Sequence, residues 1–152
     1  MGQKHYAHLA VVIEDAQRLK YISEQAVLAS VHVEEKIITE IISDTHRHIE
    51  QNLESSGRVF LKYQNNQITG FILIQRFWNL SELFVVPGKH REGIGSDLLT
   101  KAISICRNSN DKGYIRVNSS KNAELFYRKH GFVDYVHNSE IPSFVVPLVY
   151  HL

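Results

Sequence analysis

Residues Leu83–Leu99 read LFVVPGKHREGIGSDLL. An apolar, β-branched run stops at Pro87, a loop carries Gly93 and Gly95, and an amphipathic stretch follows with Leu98, Leu99, Ala102, Ile103 and Cys106 on one stripe. This order predicts a strand, a glycine loop and a helix start. Glycines let backbone amides approach an anion with no Cβ in the way. The first turn of the helix adds unpaired N–H groups and the positive end of its dipole. Lys89 and Arg91 place positive charge beside it. The segment His90–Ser96 (His90, Arg91, Glu92, Gly93, Ile94, Gly95, Ser96) is therefore a candidate phosphate cradle. A tight strand–helix turn in any α/β protein looks similar, so the two readings weigh about equally on this stretch alone. The spacing is not that of a P-loop, and Leu98 stands where a dinucleotide fingerprint needs its third glycine.

Working outward, His8–Ile13 reads as a first strand and Asp15 as a helix N-cap. A helical run with Leu19, Ile22, Ala26 and Ala29 comes next. Val33 to about Leu53 forms a second helical stretch, expected to break near Asp44-Thr45. Val59–Tyr63 and Ile68–Phe77 flank the turn Gln64–Gln67, and Leu80–Val86 is the strand ahead of the glycine loop. Beyond the helix, Tyr114–Val117 reads as a strand. A brief helix runs to His130, and Phe132–Val136 and Phe144–Val149 read as closing strands. Strands that alternate with helices in this order indicate a mixed α/β domain.

The chain has 152 residues, enough for one ordinary domain over 1–152. Its formal charge of +1 provides no global field for nucleic acid, and its longest apolar runs are too short to span a bilayer. The start MGQKHYAH has no secretory apolar stretch, and the lone Cys106 forms no internal disulfide, so a cytoplasmic setting is expected. His46 and His48 lie two residues apart and would point to different helix faces, which reads as surface histidines rather than a metal site. No metal is expected.

Leu83-Phe84-Val85-Val86-Pro87 with Gly93-Ile94-Gly95 resembles the strand and phosphate loop of the GNAT acetyltransferases. That loop has the form [Q/R]-x-x-G-x-[G/A], and here His90 replaces the usual Gln or Arg. A second block, Val117–Phe132, resembles the family's N-x-S-x-x-A-x-x-F-Y-x-x-x-G-F. Asn118, Ser120, Ala123, Phe126, Tyr127, Gly131 and Phe132 all fall in register. The blocks cover the second half of the chain, separated by one helix and one strand as in the family. The resemblance implies a mostly antiparallel sheet of about seven strands flanked by about four helices.

It also implies an N-acetyltransferase that moves an acetyl group from acetyl-coenzyme A to a primary amine, small-molecule or peptide, in a ternary complex. The backbone of Phe84, Val85 and Val86 would pair with the pantetheine arm, with one N–H polarising the acetyl carbonyl. Asn118 would reach the arm from the other side. Tyr127 would be general acid for the leaving thiolate, uphill by roughly 2 kcal/mol at reference pKa values. Spacing alone reads Tyr127 as a core aromatic with Ala123, Phe126 and His130. The family's usual base position holds Asn79, so a water chain, Glu82 or a histidine such as His137 stays open as base, Glu82 reading more simply as a solvated strand-edge carboxylate. A non-catalytic module that only binds acetyl-coenzyme A is the alternative, and a homodimer is left open.

Overall fold

A computed structural model of the protein describes residues 8–89, 92–136 and 141–152. The elements run β1 (His8–Ala10), a 3-10 turn (Ile13–Asp15), α1 (Ala16–Ser30), α2 (Glu35–Asn52), β2 (Arg58–Asn65), β3 (Gln67–Gln75) and β4 (Asn79–Val85). Then come α3 (Ile94–Arg107), β5 (Tyr114–Ser120), α4 (Glu124–Lys129), β6 (Val133–Asp134) and β7 (Val145–His151). The seven strands form one sheet in the order β1-β2-β3-β4-β5-β7-β6, antiparallel throughout except for the parallel pair β4–β5. Among the described residues there are seven strands and four α-helices, as the resemblance implies.

β3 lies inside the sheet between β2 and β4, and residues 71–74 are all buried because helices cover both of its faces. Period-2 alternation sorts them into two cores. Phe71 and Leu73 join Leu19, Ile22 and Ile49 of α1 and α2, while Ile72 and Ile74 join Ile94, Leu98, Leu99 and Ala102 of α3. Cys106 belongs to the second core, and burial pushes its thiol up to about 12, so it packs rather than reacts.

Several boundaries differ from the expectations above. β1 ends at Ala10, and Asp15 stands at the N-cap position of α1 as expected but its side chain makes no capping bond. Its carboxylate accepts from the Val12 amide at 2.8 Å and from Lys62 Nζ at 2.7 Å, tying the 3-10 turn to β2. α2 runs unbroken through Asp44-Thr45, because Thr45 is buried on its sheet-facing side and Asp44 pairs with Arg47 at 2.8 Å. Tertiary contact here outweighs weak helix propensity. β5 extends to Ser120, and β7 inserts between β5 and β6.

Candidate functional site

β4 and β5 are each seven residues long, yet they pair only at Asn79↔Arg116 and Leu80↔Val117. Past that point the strands part. β4 stays with β3 as far as Gly70↔Val85, and β5 stays with β7 as far as Ser120↔Val145. The wedge between them has backbone on both sides. Val86 donates its amide to Thr69 O at 2.8 Å, toward β3. Antiparallel alternation therefore turns the polar groups of Val85 and Leu83 away from β3 and into the wedge. On the far side Arg116 donates to Trp78 O at 2.8 Å, so residues 118 and 120 of β5 share the orientation toward β4. Asn118, opposite Pro147 of β7, is exposed; the Phe84 side chain packs with the α1–α2 core.

Above the mouth of the wedge stands the N-terminus of α3. Gly93 caps it in the left-handed region at φ 79°, and the first helical bond runs from Asp97 N to Gly93 O at 3.0 Å. The amides of Ile94, Gly95 and Ser96 precede that bond and have no partner within the helix. Ile94 is buried; Gly95 and Ser96 are half-buried. A Cβ on Gly95 would stand 3.4 Å from Phe126 of α4, so this turn abuts the second sequence block directly. Glu92 is exposed and pairs with Lys89 at 3.6 Å. His90, Arg91 and His137 lie outside the described residues.

Tyr127 enters from α4, 5% exposed. Its ring meets Phe126 and Phe132 edge-on, with centroids at 5.3 and 5.2 Å. Burial drives its hydroxyl pKa well above the usual value, and the Glu82 carboxylate adds to the rise.

Glu82 is the residue that the sequence reading placed wrongly. It is not a solvated edge carboxylate but 5% exposed. β4 carries a register shift: Leu73 faces Glu82 and Ile74 faces Leu80, so Ser81 is the extra residue. This bulge puts Leu80, Leu83 and Val85 on the α3 face, and Glu82 with Phe84 and Val86 on the opposite one. There Glu82 Oε1 accepts from Thr45 Oγ1 at 2.9 Å, and Oε2 lies 2.6 Å from His48 Nδ1. Burial pushes Glu82 upward, against the downward pull of His48 and Thr45; the carboxylate raises His48 in turn. Both directions mean that the pair holds its proton more tightly than the free side chains do. The clue available in the sequence was Leu80-Ser81-Glu82-Leu83, two apolar residues three apart inside a strand.

The comparisons with known proteins agree with this architecture. The protein-family model described as acetyltransferase (GNAT) domain matches residues 4–141. No curated protein matches the sequence. Among solved structures, the fold is similar to that of PaiA N-acetyltransferase from Thermoplasma acidophilum in complex with coenzyme A. The identity is 19%, with 95% of this chain and 98% of that chain covered and a TM-score of 0.75. It is also similar to YncA, a putative acetyltransferase from Salmonella typhimurium with its cofactor acetyl-CoA, at 14% identity, 97% and 94% coverage and TM-score 0.71. A GCN5-related N-acetyltransferase from Rhodopseudomonas palustris matches at 19% identity over 100% of this chain and 99% of that one, TM-score 0.78. Since the family model spans nearly the whole sequence, the chain belongs to the GNAT acetyltransferase domain family and is an acyltransferase.

Proposed function

We propose that the protein is an N-acetyltransferase that transfers the acetyl group of acetyl-coenzyme A directly to a primary amine while both are bound. The observation that carries this reading is the wedge between β4 and β5. Its width beyond Leu80↔Val117 leaves strand-edge hydrogen-bonding groups facing each other, as an extended pantetheine arm requires. The arm would lie along Phe84, Val85 and Val86, with Val85 N–H the one turned toward the acetyl carbonyl. Asn118 would hold the arm from β5. The pyrophosphate would rest on the segment from His90 through Ser96, where the first-turn amides and the positive end of α3 favour an anion.

Attack by the neutral amine on the thioester carbonyl forms the C–N bond, the C–S electron pair leaves with sulfur, and the proton the nitrogen loses ends on that sulfur to give the coenzyme A thiol. Tyr127 would supply the leaving thiolate with a hydrogen bond. Because burial makes the phenol a weaker acid still, its contribution is better described as stabilising the thiolate than as complete protonation. The reading takes residues 1–152 as one domain working in the cytoplasm.

The test is thiol release from acetyl-coenzyme A across a panel of primary amines, paired with calorimetry of acetyl-coenzyme A binding. Amine-dependent release with saturable binding is the expected outcome. Binding without release for any amine removes the transferase reading, and no binding at millimolar ligand removes the cradle as well.

A further inference from the structure

His48 of α2 and Glu82 of β4 are joined across the α2–sheet interface, and nothing in the proposed transfer uses them so far. Glu82 lies two residues beyond the last β4–β5 pair, on the strand that borders the wedge. Both of its oxygens are engaged, by Thr45 and by His48, and the residue is buried under α2, away from an incoming amine. His48 differs. With Nδ1 donating to the carboxylate, the ring is fixed in the tautomer that leaves the Nε2 lone pair free, and the side chain remains 29% exposed. A buried carboxylate that orients a part-exposed imidazole through one ring nitrogen is the arrangement of a general base.

We propose that His48 Nε2 accepts the proton of the acceptor ammonium, with Glu82 and Thr45 as positioning residues that fix the imidazole. This inference rests on the acetyl-transfer reading above. In the step, the ammonium N–H proton passes to Nε2, and the freed nitrogen pair attacks the thioester carbonyl carbon. The C–N bond forms, the C–S bond breaks with its electron pair leaving on sulfur, and the second N–H proton lost as the amide forms ends on that sulfur as the coenzyme A thiol. The imidazolium keeps its Nδ1–H on Glu82 and returns the Nε2 proton to solvent. The charged groups acting on the ring are Glu82 from β4 and Asp44 and Arg47 of α2, the carboxylates raising its pKa and Arg47 lowering it. On α1, which packs against α2, Lys20 is tied to Glu50. From α4, Tyr127 responds to the Glu82 charge.

The experiment is the pH profile of kcat/KM for one amine found active with the wild type, measured for wild type, His48→Gln, His48→Ala and Glu82→Gln. Activity should be lost as pH falls through the His48 pKa, which the carboxylate holds above the ordinary value. Glu82→Gln should move that acid limb to lower pH. His48→Gln should lower kcat/KM by about a hundredfold or more and abolish the limb, while acetyl-coenzyme A still raises the melting temperature as in wild type. Added imidazole should restore turnover to His48→Ala, and this arm decides if Glu82→Gln does not fold. Wild-type rates in His48→Gln, an unmoved limb in a folded Glu82→Gln, or no rescue by imidazole would each overturn the proposal. Absence of thiol release by the wild type with every amine instead removes the acyl-transfer reading itself, and the proposal falls with it.

Discussion

Gly70 of β3 and Ile94 of α3 meet so closely that a Cβ on the glycine would stand 2.9 Å from Ile94 Cγ2 and 3.1 Å from the Phe84 carbonyl oxygen. Ile94 is the first residue of α3, directly after the glycine cap. The glycine thus sets how far the helix end approaches the strand that borders the wedge. Gly70→Ala should destabilise the fold by roughly 1–3 kcal/mol through overpacking, because the backbone oxygen cannot move aside as a side-chain tip can. It should also weaken acetyl-coenzyme A binding by displacing the α3 amides. Chemical denaturation and calorimetry on the same variant measure both.

Gly93 has the opposite geometry. A Cβ there meets nothing within 4 Å, but φ is 79°, where an L side chain costs about 1–2 kcal/mol. Gly93→Ala should therefore lose about that much stability by backbone strain alone. Gly93→Asn should lose less, since Asn tolerates the left-handed region. Equal losses for Ala and Asn would show that strain is not the cause.

The glycine loop and the block around Tyr127 were legible in the sequence because each is a local pattern: residues that must be small, followed by a helix stripe. The sheet's composition from about seven strands followed the resemblance, and the two-sided burial of β3 was foreshadowed by its continuous apolar run. What stayed hidden depended on a one-residue bulge. Ser81 puts Leu80 and Glu82 on opposite faces, whereas a period-2 reading that starts from Leu80 places both on one side. With Glu82 misplaced, His48 had no partner to be read against and counted as surface. Thr45 looks like a helix breaker in the sequence for the same reason: its hydroxyl serves a carboxylate 37 residues away.

Tyr127→Phe should leave the core intact. The ring contacts with Phe126 and Phe132 need no hydroxyl, so stability should change by less than about 1 kcal/mol. If the hydroxyl hydrogen-bonds the leaving thiolate, turnover with a saturating amine should fall about ten- to a hundredfold with acetyl-coenzyme A affinity nearly unchanged. Unchanged turnover would leave Tyr127 as packing only.

The Lys62–Asp15 pair is enclosed between β2 and the 3-10 turn, with side chains only 10% and 12% exposed and a separation of 2.7 Å. Removing one partner strands the other charge away from water. Lys62→Met should cost about 3–5 kcal/mol, whereas Lys62→Met combined with Asp15→Asn should recover part of that loss. A double-mutant cycle by urea denaturation reads the coupling, and additive losses would contradict it.

The His48–Glu82 pair also predicts how stability depends on pH. Both groups have folded-state pKa values raised above their ordinary values of 6.5 and 4.5, His48 chiefly by its hydrogen bond to the carboxylate and Glu82 chiefly by burial. A raised pKa means the folded chain binds protons more tightly than the unfolded one. The stabilisation is then full below the unfolded pKa values and is lost as pH rises through the folded ones. For this pair the loss begins above pH 4.5, the ordinary glutamate value, and continues past 6.5, the ordinary histidine value. Other groups titrate in the same range, so the difference between wild type and Glu82→Gln is the informative quantity. That variant cannot ionise at position 82 and no longer raises His48, so its stability should decline less between about pH 5 and 8. Urea midpoints across that range measure the slope, and parallel profiles for the two proteins would show that the pair takes up no extra proton on folding.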